Sequence, residues 1–352
     1  MNEEKYERAI KAFEVLDGFS DSTSKINECK TAILEREYQR ATRLMEAGRY
    51  EEAITTFYAL KNYKDSATQI LECDYRKALN LMNEKKFDEA TELFSELNGY
   101  SDSATQIVEC TYRKAGELCK SGKYDEAYAI YLTIPEYKNV SEILKTDKNL
   151  LRVKFKVGNS IILGNYPQTK AGNDNTPIEW LVLESDGETA LLISRYALDC
   201  KPYNTVQEEI TWEQCALRSW LNSEFYNRAF RTEEKQYILQ SNISANKNPE
   251  YSTNPGNATK DKVFLLSVVE ATKYFKSDDV RKCAPTDYAI QQGADTSDRY
   301  KVEGRKTCWW WLRSPGYNSY IAAGVLTGGY IYDYFVSLSY LAVRPCVRVR
   351  LF

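Results

Sequence analysis

The sequence predicts a two-domain α+β protein: an α-solenoid over residues 1–150, then an α+β domain over residues 151–352. Three observations carry this. The 352 residues exceed what one hydrophobic core usually serves. The first half repeats on itself with a step of 37 residues. Near residue 150, alanine-rich amphipathic segments give way to short β-branched runs broken by Gly, Asn and Asp.

The repeat is visible in YQRATRLMEAGRYEEAITTF, YRKALNLMNEKKFDEATELF and YRKAGELCKSGKYDEAYAIY. Tyr38, Tyr75 and Tyr112 keep the step, as do Tyr63, Tyr100 and Tyr137. So do the alanines 41, 78 and 115, and 53, 90 and 127. A small residue at a fixed place in each unit marks a close approach of two helices. Breaks at Ala47-Gly48-Arg49 and Ser121-Gly122-Lys123 separate the helices of a pair. Residues 5–29 form a partial copy without the first helix. Such a period means stacked helix pairs that bury one another's apolar faces. The Gly-x-Tyr-Asp/Glu-Glu-Ala core resembles tetratricopeptide repeats, with a slightly long period that lengthens the helix through DSATQILECDYRKALNLM. The resemblance implies docking of a protein partner, or self-association, through the solenoid. Cys29, Cys73 and Cys110 share one slot, which reads as packing and not as a shared metal site.

In the second half, KFKVGNSIILGNYPQ and PIEWLVLESDGETALLISRYALD read as strands and hairpins. Two helices interrupt, around TWEQCALRSWLNSEFYNRAF and LSVVEATKYF. In the first, Trp212, Leu217, Trp220, Leu221 and Phe225 fall at helical spacing and form its core face. A strand-rich segment closes the chain, so strands and helices are segregated and do not alternate as βαβ units.

Composition narrows the function. Apolar residues make 43% and charged residues 28%, an ordinary globular balance. Net charge is −3, with 22 basic and 28 acidic groups in residues 1–150 and 25 and 22 in the rest, so no basic field anticipates nucleic acid. No apolar run approaches the roughly 18 residues that span a bilayer. The start, MNEEKYERAI, lacks a secretory pattern, so a cytoplasmic protein with no membrane partner is expected. Histidine is absent, which removes Ser-His-Asp, Cys-His and histidine–zinc chemistry. The nine cysteines form no CxxC pair and read as reduced, buried thiols.

The window Tyr317–Ala342, YNSYIAAGVLTGGYIYDYFVSLSYLA, stands out. It contains no Lys, Gln, Glu, Met or Trp, although those types make 79 of the other 326 residues and about six would be expected. The absent set has a genetic reading. Randomising the two adenines of an asparagine codon reaches every residue type in the window and none of those five. Six Tyr, three Ser, three Gly and one Asn also give it a paratope-like composition. Tyr330, Tyr332 and Tyr334 alternate, so in a strand all three point to one face. A buried terminal hairpin turning at Gly328-Gly329 would need many of the same residues.

The flanks CWWWLRSPG and VRPCVRVRL, with GNYPQ, PIEWLVL, ALLISRYALD and LRSWLNSEFYNRAF upstream, resemble a bacterial domain family of unknown function. Its members join WWLRSPG, an often Asn-rich stretch and a closing VRP. Some resemble variable proteins of diversity-generating retroelements, in which template adenines are miscopied into the end of a target gene. The resemblance covers about residues 155–350 and implies a C-type-lectin-like fold, related in architecture to formylglycine-generating enzymes. Residues 317–342 fall where the family has its Asn-rich stretch, although only Asn318 remains of it here.

Variation of that kind requires exposed side chains on a rigid frame, because core substitutions cost a few kcal/mol against a total of roughly 5–15. The core is therefore assigned to Trp309–Trp311, Leu312, Val343, Val347 and Val349, with Ala322-Ala323 and Gly328-Gly329 as fixed positions. Arg313 and Arg344 are expected to hold carbonyls or carboxylates. Contacts to an unidentified protein or other macromolecule are expected from Tyr317, Tyr320, Tyr330, Tyr332, Tyr334 and Tyr340, then Asn318, Ser319, Asp333, Phe335, Ser337 and Ser339. Period two requires some of these to face inward.

Enzyme readings have less support, and no catalytic residue is expected. Formylglycine-generating relatives use cysteines, and Cys308 and Cys346 flank the terminal strands, but no matched base stands in the motifs. A calcium site needs clustered carboxylates and amides, and the segment offers Asp333 and Asn318, so no metal and no cofactor are expected. The alternatives are an undiversified adaptor acting through its helical repeats, and a cysteine-dependent oxidase.

Overall fold

A computed structural model describes residues 3–16 and 18–352, the side chains from residue 4. The chain is a mixed α and β protein forming two compact units, Met1–Leu144 and Lys145–Phe352.

The first unit is helical: α1 (Glu3–Glu14), α2 (Ser22–Glu46), α3 (Tyr50–Ala59), α4 (Ser66–Asn83), α5 (Phe87–Glu96), α6 (Ser103–Lys120) and α7 (Tyr124–Tyr131). The repeated alanines 41, 53, 78, 90, 115 and 127 are all fully buried, which lets paired helices approach closely. Between the helices of each pair the chain turns through positive φ, at Gly48 (+75°), Lys85 (+63°) and Gly122 (+78°). Units are stitched by a repeated polar ladder. The hydroxyls of Tyr38, Tyr75 and Tyr112 donate to Asp65 (2.5 Å), Asp102 (2.5 Å) and Asn139 (2.9 Å). Those of Tyr63, Tyr100 and Tyr137 donate to Glu35 (2.8 Å), Glu72 (3.1 Å) and Glu109 (2.9 Å). Cys73 and Cys110 are fully buried and Cys29 is half-buried in the partial first unit.

A short helix, α8 (Val140–Thr146), crosses the boundary, and α9 (Lys148–Lys154) begins at Asp147, whose carboxylate accepts from Asn149 N (2.9 Å) and Leu150 N (3.1 Å). Leu150, Leu151 and Phe155 are buried in the second unit. The unit therefore starts a few residues before the change in texture, because its first element is still a helix.

Two five-stranded sheets build the second unit. One has the order β1 (Ser160–Tyr166), β2 (Thr176–Ser185), β3 (Thr189–Ser194), β14 (Cys346–Arg350), β7 (Val263–Phe264), with every pairing antiparallel. The other runs β12 (Ile331–Phe335), β11 (Ile321–Val325), β10 (Trp310–Pro315), β13 (Ala342–Val343), β4 (Asp199–Cys200), and only β10 and β13 are parallel. Small ribbons, β5 (Ser241–Ile243) with β6 (Thr259–Asp261) and β8 (Thr296–Val302) with β9 (Arg305–Cys308), lie outside them. The first expected helix is α10 (Ala216–Trp220), a π-helical turn (Leu221–Phe225) and α11 (Tyr226–Ala229). It buries Leu217, Leu221 and Phe225 and leaves Trp220 half-buried. Trp212 precedes the helix and is fixed by its indole N–H donating to Asp261 (3.0 Å). The remaining helices are α12 (Thr232–Lys235), α13 (Val268–Tyr274), which is the second expected one, α14 (Asp278–Arg281) and α15 (Asp287–Gln291). Trp180, Trp310 and Trp311 are fully buried in one core, each such side chain contributing roughly 2–3 kcal/mol of apolar burial.

Candidate ligand-binding surface

The window Tyr317–Ala342 is neither wholly buried nor wholly displayed. Its β11 is buried throughout, because Ala322, Ala323 and Gly324 lie between β10 and β12 inside the sheet. Val336, Leu341 and Ala342 are buried too. Its edge strand, β12, carries the exposed rings of Tyr332 (64% exposed) and Phe335 (53%), and the loops nearby those of Tyr317 (57%), Tyr320 (41%) and Tyr330 (55%). Ser339 is exposed, and Asn318, Ser319, Asp333, Ser337 and Tyr340 are half-buried.

Tyr334 departs from the expected exposed row. It shares a face of β12 with Tyr332, their ring centres 6.0 Å apart, but it is 9% exposed. Its ring stacks on Trp309 (5.4 Å) and meets Trp311 edge-on (6.3 Å). Burial pushes its phenol up, and its hydroxyl has no hydrogen-bond partner. Trp309, assigned to the core by sequence, is half-buried because it forms the shelf beneath Tyr334 and Tyr340, the latter at 5.1 Å.

The window is gripped from outside mainly through its main chain. Ile210 N donates to Ser319 O (3.0 Å) and the Gln207 amide to Tyr320 O (2.9 Å). Asn204 N donates to Val336 O (2.9 Å), Arg281 to Gly329 O (2.8 Å) and Asp295 N to Tyr340 O (3.0 Å). Gln207 Oε1 accepts from Ser337 N (3.3 Å) and from its hydroxyl (2.6 Å). Within the window, Asp333 Oδ2 accepts from Tyr317 N (3.2 Å), and its carboxylate also accepts from Tyr251. Desolvation raises the Asp333 carboxyl above the usual carboxylate range. Tyr251 sets its ring edge-on to Tyr317 (6.2 Å). Gln207 and Tyr251 went unrecognised in the sequence, since they lie in irregular loops 66 or more residues from the window and no periodicity points to them.

The two frame arginines are buried and bonded to the frame, although Arg313 Nε and Arg344 Nη1 have no hydrogen-bond partner. Arg313 donates to Leu265 O (2.7 Å) and both carboxylate oxygens of Glu270. Arg344 donates to Ser194 O (3.0 Å) and lies over the rings of Trp310 and Phe275.

Cys308 and Cys346 are both buried, and burial pushes both thiols up. The thiol neighbour of Cys308 is Cys283, whose backbone carbonyl also accepts from Cys308 N (2.9 Å). Burial opposes ionisation of Cys283 as well, but the Cys308 S–H bond and the nearby Arg344 outweigh it and hold the thiol below its ordinary value. Cys283 is 1% exposed and Cys308 0%, so the pair is enclosed. Among the described residues, no group of three or more Cys, Asp or Glu is placed to hold a metal ion, and no helix is long and apolar enough to cross a membrane.

Residues 187–351 match the model of a family described as "Domain of unknown function (DUF6273)". The match takes in the Trp-rich strand, the whole window and the closing strand. No curated protein and no solved structure matches the chain.

Proposed function

We propose that the second unit is a non-catalytic binding module whose ligand, a protein or other macromolecule, meets the exposed rings of Tyr317, Tyr320, Tyr330, Tyr332 and Phe335. The single observation that carries this is the division within 317–342: displayed side chains on the edge strand and loops, buried ones between them, and main-chain anchoring from outside. Five large aromatic groups in water cost solvation that a monomer without a partner does not need to bear. Hydrogen bonds to carbonyls and amides are indifferent to side-chain identity, so this arrangement tolerates exchange of the displayed residues. The codon set of the window extends the reading to diversification by a retroelement on a C-type-lectin-like scaffold. The solenoid, tetratricopeptide-like in its repeat core, serves protein docking in the cytoplasm. A groove of about 420 Å³ lined by Met82, Phe87, Tyr112, Arg113, Glu117 and Tyr131 is a mixed apolar and charged surface suited to that.

The test is a library in which the eleven displayed or half-displayed candidate positions are randomised and Tyr334 is kept. Most members are expected to fold, and selection against unrelated protein targets is expected to give binders. A library that mostly unfolds, or folds and never binds, overturns the reading. Diversification is checked separately, in the gene's neighbourhood, by a reverse transcriptase and an adenine-rich near-copy of codons 317–342.

A further inference from the structure

Aromatic rings in this chain are commonly capped by its own cations. Lysine or arginine stands over Tyr38, Tyr63, Tyr112 and Tyr137 in the solenoid, and over Tyr166, Tyr196, Tyr226, Tyr274, Tyr288 and Tyr300 in the second unit. Among the described residues, no such cap covers Tyr317, Tyr320, Tyr330, Tyr332 or Phe335. The window contains no Lys or Arg, and its one charge is Asp333. Glu250, next to Tyr251 in the chain, adds a second negative charge that acts on Asp333. Neither acid takes part in a salt bridge among the described residues. Uncapped ring faces and unpaired carboxylates present the same electrostatic sign, and their complement is a cation. The Gly328 end differs, since Tyr300 beside it carries Lys282 and Arg299.

We propose that the end of the surface formed by Tyr251, Tyr317, Asp333 and Glu250 recognises a basic segment of a partner protein, with an arginine side chain stacked on tyrosine and paired with the carboxylates. Arginine suits the site better than lysine, because its planar, weakly hydrated guanidinium stacks and makes two parallel hydrogen bonds to a carboxylate. This rests on the binding role proposed above and deepens it.

The experiment pans a random dodecapeptide phage library on the full chain and counter-selects on the Tyr317→Ala variant. Peptides that need the intact face are expected to be enriched in Arg and Lys. Their affinity is expected to fall about tenfold in Asp333→Asn or Glu250→Gln and to weaken with salt. Both substitutions keep a hydrogen-bond acceptor, and an unchanged unfolding midpoint shows that they fold. Face-dependent peptides with no basic bias, or insensitive to both substitutions, overturn the cationic partner and leave the binding role standing. A library that gives no face-dependent peptide of any composition overturns both.

Discussion

A β-carbon on Gly329 would overlap the backbone carbonyl of Asp278, so the hairpin between β11 and β12 is fastened to α14 at a point where only glycine fits. The residue sits at φ +90°, which L side chains rarely adopt, and its own carbonyl is held by Arg281. Gly329→Ala is expected to cost more than about 2 kcal/mol in urea unfolding. Gly328→Ala meets only the ring edges of Tyr330 and Tyr300, at 3.1 and 3.2 Å, and is expected to cost under about 1 kcal/mol. Equal losses at the two positions would show that the hairpin is not clamped to α14.

Tyr332 and Tyr334, two residues apart on one strand face, should respond oppositely to mutation. Tyr332→Ala removes a water-exposed ring and is expected to stay within about 0.5 kcal/mol of the parent. Tyr334→Ala removes a ring stacked on Trp309 and is expected to cost about 3–5 kcal/mol. Tyr334→Phe deletes a buried hydroxyl that has no partner and is expected to be neutral or to stabilise by up to about 1 kcal/mol. Denaturant midpoints for the three variants decide it, and a destabilised Tyr334→Phe would mean that the hydroxyl is bonded after all.

The helical first unit was legible because its signal is local. A 37-residue step in Ala and Tyr positions fixes which helix faces meet, and the buried alanines follow from it. The two interrupting helices were legible from the same kind of periodicity. Alternation along β12 correctly placed Tyr332 and Tyr334 on one face, yet could not tell which of them is covered, since the cover comes from Trp309 and Trp311, outside the strand. The grip of Gln207 on Tyr320 and Ser337, and the pairing of Cys283 with Cys308, join distant loops and leave no local pattern. The identity of a candidate contact residue was readable in the composition of the window, and its exposure was not.

Acid should weaken the second unit in part through Glu184. Its carboxylate on β2 accepts from Lys273 Nζ (2.8 Å), Tyr274 OH (2.7 Å) and Arg348 (3.1 Å). The Lys273 bond above all holds it down at about 2, against an ordinary 4.5. A lower value in the folded state means that the unfolded chain takes up the proton first. The stabilisation is therefore complete above pH 4.5 and lost as pH falls through about 2. The group is 36% exposed, so solvent screening reduces its worth to about 1 kcal/mol. Glu184→Gln is expected to lose about that much at pH 7 and almost nothing near pH 2, read as the difference from the parent in urea unfolding at each pH. A loss independent of pH would assign the effect to packing and not to charge.

Thiol accessibility separates the binding module from a cysteine-dependent oxidase. Seven of the nine cysteines are buried, and Cys29 and Cys119 are half-buried. An aromatic disulfide reagent at pH 8 is expected to modify two thiols quickly in the native protein and all nine in denaturant, because a buried thiol reacts only through opening of the structure around it. The informative residue is Cys283. The Cys308 S–H bond and Arg344 draw its thiol down despite burial, and enclosure keeps it from reagent. Mapping the modified peptides then distinguishes two outcomes. Labelling confined to Cys29 and Cys119 leaves the second unit without an accessible nucleophile. Rapid native labelling of Cys283 or Cys308, slowed by Arg344→Lys at equal unfolding midpoint, would show a pair that opens to solvent and would favour thiol chemistry in this unit over display alone.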